Sequence, residues 1–340
     1  MTRTRSFKLS IILLLIGAGV FLFLNRSPGL DVTVLANIPV GEEPLGIAVA
    51  PDGSRIYVAN AQSGTLSVID ARTHQVVDTL VIDENSRLFG VALSPDGTQA
   101  YISWTVRTPE SPGFVSVVDL PAGRVVATIP VRLSPQDMAL SADGSRLYVV
   151  NAASNNVSVI DTTILEVLKN IQVGFNPFSI VLTQDGRLAY VSHSRGRNIG
   201  VIDLATVQMV RTIPLPFLTR LLEIDVTDDG RHLYIADGIR NSVVVVDDEQ
   251  GEAMRSLQVT REGGNVEYSP MGLAISPDGT RLYVVNRNGY LSVFELPQDR
   301  LLGTLKLGVD LRQVAFAPDG TAYITSQGTN SVIVVEETEQ

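Results

Sequence analysis

The residues of this chain able to do chemistry are few. Its 340 residues include three histidines and no cysteine, which removes thiol catalysis, disulfides and cysteine-ligated metal. His74 and His232 fall in or beside polar turns, so His193 stands alone. A single imidazole builds no multi-histidine metal site, and no Ser-His-Asp set is apparent. More useful are the arginines beside short apolar runs, Arg87, Arg220 and Arg312, because a guanidinium recognises a carboxylate through paired N–H donors. Trp104, the sole tryptophan, and Phe178 offer apolar contact. The expected ligand-binding set is therefore Arg87, Trp104, Phe178, His193, Arg220 and Arg312, with no catalytic residue, metal or cofactor. Arg107, Arg195 and Arg197 read instead as rim residues paired with nearby acids.

The elements that position these residues follow from a repeat. Seven Asp-Gly pairs begin at Asp52, Asp96, Asp143, Asp185, Asp229, Asp278 and Asp319. Each is followed by a tyrosine: Tyr57, Tyr101, Tyr148, Tyr190, Tyr234, Tyr283 and Tyr323. Successive glycines lie 44, 47, 42, 44, 49 and 41 residues apart, a period made of short strands that signals a β-propeller blade. Residues 45–82 show the grammar. An apolar inner strand with small residues precedes the Pro51-Asp52-Gly53 turn, where Gly accepts φ > 0. Ile56–Asn60 returns as a β-branched and aromatic strand, Leu66–Asp70 alternates as a third, and Gln75–Val81 forms the outer one. The tyrosines read as blade packing and the Asp-Gly pairs as turns.

The seventh repeat ends after its third strand. Residues 32–40 resemble the outer strands that end Thr-Ile-Pro-Val at Val131 and Thr-Ile-Pro-Leu at Leu215, and they are expected to complete that blade. Closure removes open sheet edges and makes residues 27–340 one domain. The fold class is thus all-β: a seven-bladed β-propeller of four-stranded antiparallel blades, closed by the N-terminal strand and preceded by one hydrophobic helix. Chain direction puts the Asp-Gly turns on one face of the ring. The opposite face carries the variable loops, including a long one expected over Trp104–Gly113, and a binding site is expected there.

Tyr-Val-Ala-Asn at 57–60 and Tyr-Val-Val-Asn at 148–151 and 283–286, each within the wider Pro-Asp-Gly and Ser-Val-Ile-Asp phrasing, resemble the YVTN family of β-propeller repeats. The resemblance covers nearly all of the repeat region and implies an extracytoplasmic binding or surface protein. It assigns no chemistry. Two likenesses to other propellers define the alternatives. In one, Glu223, Asp137, Asn151 and Asn286 hold a metal for hydrolysis, as in lactonase-type propellers. In the other, His193 is an axial ligand, as in haem d1 propellers, within a periplasmic redox accessory protein.

Arg3, Arg5 and Lys8 precede the apolar run Leu9–Leu24, a pattern of an export signal or anchor. No small-residue cleavage site follows, so residues 1–26 are expected to form an uncleaved signal anchor. The basic flank would stay cytoplasmic and leave the propeller periplasmic or at the cell surface. Beyond residue 26 the loss of Arg3, Arg5, Lys8 and Arg26 takes the net charge from −10 to −14, which argues against a nucleic-acid surface. The expected partners are a protein or small molecule at the loop face, and the membrane through the N-terminal helix.

Overall fold

The Asp-Gly turns do the same thing seven times. In each, the glycine takes a positive φ between 68° and 89°. The aspartate Oδ1 accepts the backbone N–H two residues on, at 2.9 Å in blade 1 (Ser54) and 3.0 Å in blade 2 (Thr98), for example. That turn joins the inner strand of a blade to the strand bearing the tyrosine. The tyrosine is buried in every repeat, from 0% exposed at Tyr190 to 6% at Tyr57, and packs in the apolar layers between neighbouring blades.

A computed structural model describes residues 30–107, 112–215, 220–260 and 269–337. These form seven four-stranded antiparallel sheets. Blade 1 comprises Pro44–Val49, Arg55–Asn60, Thr65–Asp70 and Gln75–Val81 from axis to rim. Blades 2 to 6 repeat the order, with inner strands Ser86–Leu93, Pro135–Leu140, Pro177–Leu182, Leu221–Val226 and Pro270–Ile275. Blade 7 takes Leu311–Phe316, Ala322–Ser326 and Ser331–Glu337 from the C-terminal end and Val32–Pro39 from the N-terminal end. Val32 faces Glu337 and Pro39 faces Ser331 in that antiparallel pair, with a bulge near Leu35. The expected closure strand is thereby present.

The expected N-terminal helix and anchor, residues 9–24, lie outside the described residues. Among the described residues no helix is long and apolar enough to cross a membrane. One loop is shorter than expected. The second strand of blade 2 runs on through Trp104 to Val106, and the third begins at Gly113. Trp104 and Phe114 face each other across these strands and stack at 4.5 Å, a cross-strand aromatic pair that extends the ladder.

Candidate ligand-binding site

The inner strand of every blade carries a bulge at the same level. In blade 3, Pro135 pairs with Asn151 and Met138 with Val149, so Gln136 and Asp137 together oppose a single residue. The same irregularity falls at Leu45-Gly46, Phe89-Gly90, Phe178-Ser179, Leu222-Glu223, Met271 and Arg312-Gln313. A bulge re-aims side chains, and here it turns residues toward the axis. A cavity of about 250 Å³ opens there. Its wall includes Leu45, Phe89, Phe178 and Met271, its deeper level Asp137, Glu223 and Gln313, and its loop-face side Arg87, Arg220 and Arg312. A second recess of about 480 Å³ shares Gln136, Phe178 and Arg220 with it and reaches Arg195 and Ile239 on the loop face.

The second bulge residue decides how neighbouring inner strands meet. Where it is glycine, the next blade comes too close for a side chain. A Cβ on Gly46 would lie 2.2 Å from the Phe89 carbonyl oxygen, and one on Gly272 would lie 2.5 Å from that of Arg312. Elsewhere a side chain bridges the gap. Asp137 Oδ2 accepts the Ile180 N–H of blade 4 at 3.0 Å, and Gln313 Oε1 accepts the Ile47 N–H of blade 1 at 3.0 Å. Hydroxyls on the second strands add further ties, Ser103 donating to the Gln136 carbonyl at 2.7 Å and Thr325 to that of Leu45 at 3.2 Å.

Glu223 departs from this pattern. The tie from blade 5 to blade 6 passes instead to Asp225, whose Oδ2 accepts the Ile275 N–H at 2.8 Å. Glu223 is left to line the cavity, where its Oε1 accepts the Ser179 hydroxyl at 3.3 Å. The same hydroxyl lies 2.7 Å from Asp137 Oδ2. Burial, and then the charge of Asp137 beside it, push the Glu223 carboxyl well above the usual carboxylate range. Asp137 is also raised by burial, against the donors of Ile180, Ser179 and Met138. No lysine or arginine pairs with either acid among the described residues.

At the mouth, Arg87 meets Glu43 at 2.9 Å and Arg312 meets Asp310 at 3.0 Å. Both pairs leave part of the guanidinium at the cavity, and the buried Arg312 Nε has no hydrogen-bond partner. Arg220 has no ion-pair partner among the described residues. Four of the six residues expected from the sequence, Arg87, Phe178, Arg220 and Arg312, therefore share one cavity.

Trp104 and His193 lie elsewhere, and a single repeat position explains both. They occupy, in the second strands of blades 2 and 4, the repeat position that Asn60, Asn151 and Asn286 hold in blades 1, 3 and 6. The amide of each asparagine donates to a third-strand serine, as Asn151 Nδ2 does to Ser158 Oγ at 2.8 Å. The Trp104 indole N–H takes over that bond, reaching Ser116 Oγ at 2.9 Å. At His193 the matching third-strand residue is Gly200. A Cβ there would lie 3.3 Å from the imidazole Cε1, so glycine makes room for the larger ring. His193 Nδ1 meets the Asn198 carbonyl at 3.0 Å, and burial holds the imidazole neutral by lowering its pKa. Gly174 closes the other side, where a Cβ would sit 2.6 Å from Nε2. That enclosure leaves no approach for a haem iron.

The metal set named from the sequence is not assembled either. Asn151 and Asn286 spend their amide N–H donors within their own blades, and their buried Oδ1 atoms, which have no hydrogen-bond partner, lie outside the axial cavity. Only Asp137 and Glu223 of the four line the axial cavity. Among the described residues, no group of three or more His, Asp or Glu side chains could hold a metal ion.

Missed from the sequence were Phe89, Gln136, Met271 and Gln313. Aligning the repeats with one another shows the signal. The Leu-Gly of blade 1 becomes Gln-Asp, Phe-Ser, Leu-Glu and Arg-Gln in blades 3, 4, 5 and 7, while its flanking positions stay apolar.

Fold and repeat together define a seven-bladed β-propeller, whose repeats are similar to those of the YVTN family. A family model described as lactonase, 7-bladed beta-propeller, matches residues 169–317. Seven-bladed beta-propeller protein Rv1057 of Mycobacterium tuberculosis is 32% identical over 134 residues, 39% of this chain and 32% of that protein. Uncharacterized protein YncE of Salmonella typhimurium is 29% identical over 111 residues, 32% of this chain and 29% of its own. The matches thus span about a third of the length of these relatives. A chain of Kuenenia stuttgartiensis hydrazine synthase superposes with a TM-score of 0.78 at 21% identity, covering 94% of this chain and 99% of its own. That likeness is one of fold.

Proposed function

We propose that this protein is a binding module that captures a carboxylate-bearing ligand, free or carried by a partner, in the axial cavity of the loop face. The observation that carries this reading is the meeting of Arg87, Arg220 and Arg312 with Phe89, Phe178 and Met271 on one cavity. Guanidiniums at a partly desolvated mouth supply charge-assisted bonds, and the aromatic wall supplies apolar contact. The loop face also exposes large apolar residues, Phe175 at 58%, Ile239 at 62% and Val309 at 54%, which gives a partner a surface around the mouth. The basic-flanked apolar run Leu9–Leu24 supports a place outside the cytoplasmic membrane, attached through that run.

The test pairs two double variants. Arg87→Ala with Arg312→Ala removes charge at the mouth, whereas Arg55→Ala with Arg146→Ala removes it on the Asp-Gly face. Truncating one side of such a charged contact costs about 2–5 kcal/mol. Titration calorimetry with alkyl carboxylates of graded length is expected to give binding to the wild type and the turn-face variant, and none to the mouth variant. Equal binding by both variants, or none by the wild type, removes the reason for placing a site here.

Metal-dependent lactone hydrolysis is the second reading, favoured by the family match over residues 169–317. The donors present fit it poorly, for the reasons given above. Lactone turnover that is abolished by EDTA would establish it.

A further inference from the structure

The axial cavity is polarised along its depth. Arg87 and Arg220 each stand two residues before the first bulge residue of their strand, Phe89 and Leu222, at about 3.3 Å per residue, while Arg312 is itself a first bulge residue whose guanidinium pairs with Asp310, two residues nearer the loop face. The apolar wall of Leu45, Phe89, Phe178 and Met271 comes next, and Asp137, Glu223 and Gln313 form the deeper level. A ligand whose only polar group is a carboxylate would satisfy the mouth and leave two carboxyl groups against its apolar end. Burying acid against hydrocarbon without a donor is costly.

We propose, resting on the binding reading above, that the ligand is an amino carboxylate: a carboxylate held by the mouth arginines, a short apolar spacer, and an ammonium set against Glu223. Three observations support the deep end. Glu223 is excused from the inter-blade tie that Asp137 and Gln313 make at the same level, the tie having moved to Asp225. Its carboxyl takes a long bond of 3.3 Å from the Ser179 hydroxyl and one from the Gln313 side chain, fewer than the four acceptor positions that two carboxylate oxygens offer. Asp137 stands on the same hydroxyl with no described cation near either acid. An ammonium carries three donors and one positive charge, which is what two adjoining carboxyls with spare acceptors lack. The cavity of about 250 Å³ holds on the order of eight waters at ~30 Å³ each, room for a small linear compound.

The experiment is titration calorimetry of the full-length protein against three matched series: ω-amino carboxylates from butanoate to octanoate, the alkyl carboxylates, and the alkyl amines. In the wild type one length of amino carboxylate is expected to bind at least about tenfold more tightly than its matched carboxylate, given what a desolvated charge pair is worth. Glu223→Gln, which keeps size and a carbonyl acceptor, is expected to bring the two within about twofold, with its melting temperature checked to exclude unfolding. Arg87→Ala with Arg312→Ala is expected to weaken both series. Equal affinity for carboxylate and amino carboxylate in the wild type overturns the ammonium subsite and leaves carboxylate capture standing. A preference that survives Glu223→Gln overturns the role of Glu223. Absence of binding by every carboxylate overturns capture itself, and the inference with it.

Discussion

At the scale of single residues, one repeat position shows how chemistry-bearing side chains serve the scaffold. Asparagine, tryptophan and histidine occupy equivalent positions of the second strands, and each turns a ring or amide N–H or nitrogen inward to the second hairpin. What changes in compensation is the third strand. Serine faces asparagine and tryptophan, and glycine faces histidine. His193 and Gly200 are thus a matched pair. Gly200→Ser alone forces a side chain to 3.3 Å from the imidazole, and His193→Asn alone leaves an amide without its serine. Together they rebuild the arrangement of blade 3. Each single substitution is expected to destabilise, and the double to recover part of the loss, with a coupling energy of about 0.5–3 kcal/mol. Urea denaturation of the four proteins measures it; strictly additive losses would show that the two sites are independent.

At the scale of the blade, the bulge is the element that makes the cavity. It uses small residues where neighbouring inner strands touch and polar ones where they are tied, so a methyl group at the wrong place should act on both packing and binding. Gly46→Ala puts a Cβ 2.2 Å from a backbone oxygen of the next blade. Overpacking of that kind costs about 1–3 kcal/mol, and the shift it forces moves the wall that holds Phe89. Gly186→Ala sits in an Asp-Gly turn at φ +68° with open space around it, and costs about 1–2 kcal/mol through backbone strain alone. Both variants are expected to melt earlier, and only Gly46→Ala to bind ligand less well.

The strands themselves were readable from sequence because turn residues and alternating apolar positions recur at a fixed period. The seven turns and the closing strand fall where that period puts them. The arginines and Phe178 were readable because they fall at the starts of inner strands, Arg87, Phe178 and Arg312 as second residues and Arg220 just before one. Phe89, Gln136, Met271 and Gln313 were not, since a bulge adds one residue without changing composition, and alternation gives no sign of which side chain turns to the axis. Trp104 and His193 drew attention by rarity, but a rare residue type at a structural position stays structural.

At the scale of the whole molecule, carboxylates divide by face. Asp52, Asp96, Asp143, Asp185, Asp229 and Asp278 in the turns accept backbone and hydroxyl donors and are held below the ordinary value of 3.8, Asp143 down to about 2. Acids at the axis are raised, Asp225 up to about 6 through burial. The signs oppose. Groups with lowered values contribute stability above the unfolded range near 4, and it is lost as pH falls toward 2. Groups with raised values contribute stability that is full below that range and is lost as pH rises through their folded values. The carboxylates are therefore expected to make the melting temperature peak between about pH 4 and 5 and decline toward 7, a decline that buried His193, whose lowered pKa favours the folded state as pH rises toward 6.5, opposes in part. Replacing Asp225 by Asn should flatten the limb from about 4 to 6, worth on the order of 3 kcal/mol. Calorimetry across this range checks it; a profile that rises steadily to pH 7 would contradict the assignment.

The pairing of Val32 with Glu337 has an orientational result. Both residues end their strands on the Asp-Gly side of the disk, since a third strand finishes there and an outer strand starts there. A tether leaving either described end departs from the side away from the arginine mouth. Under the proposed attachment through residues before Leu30, the disk would stand on its uniform face like a cup on its base, with the opening turned outward to whatever arrives.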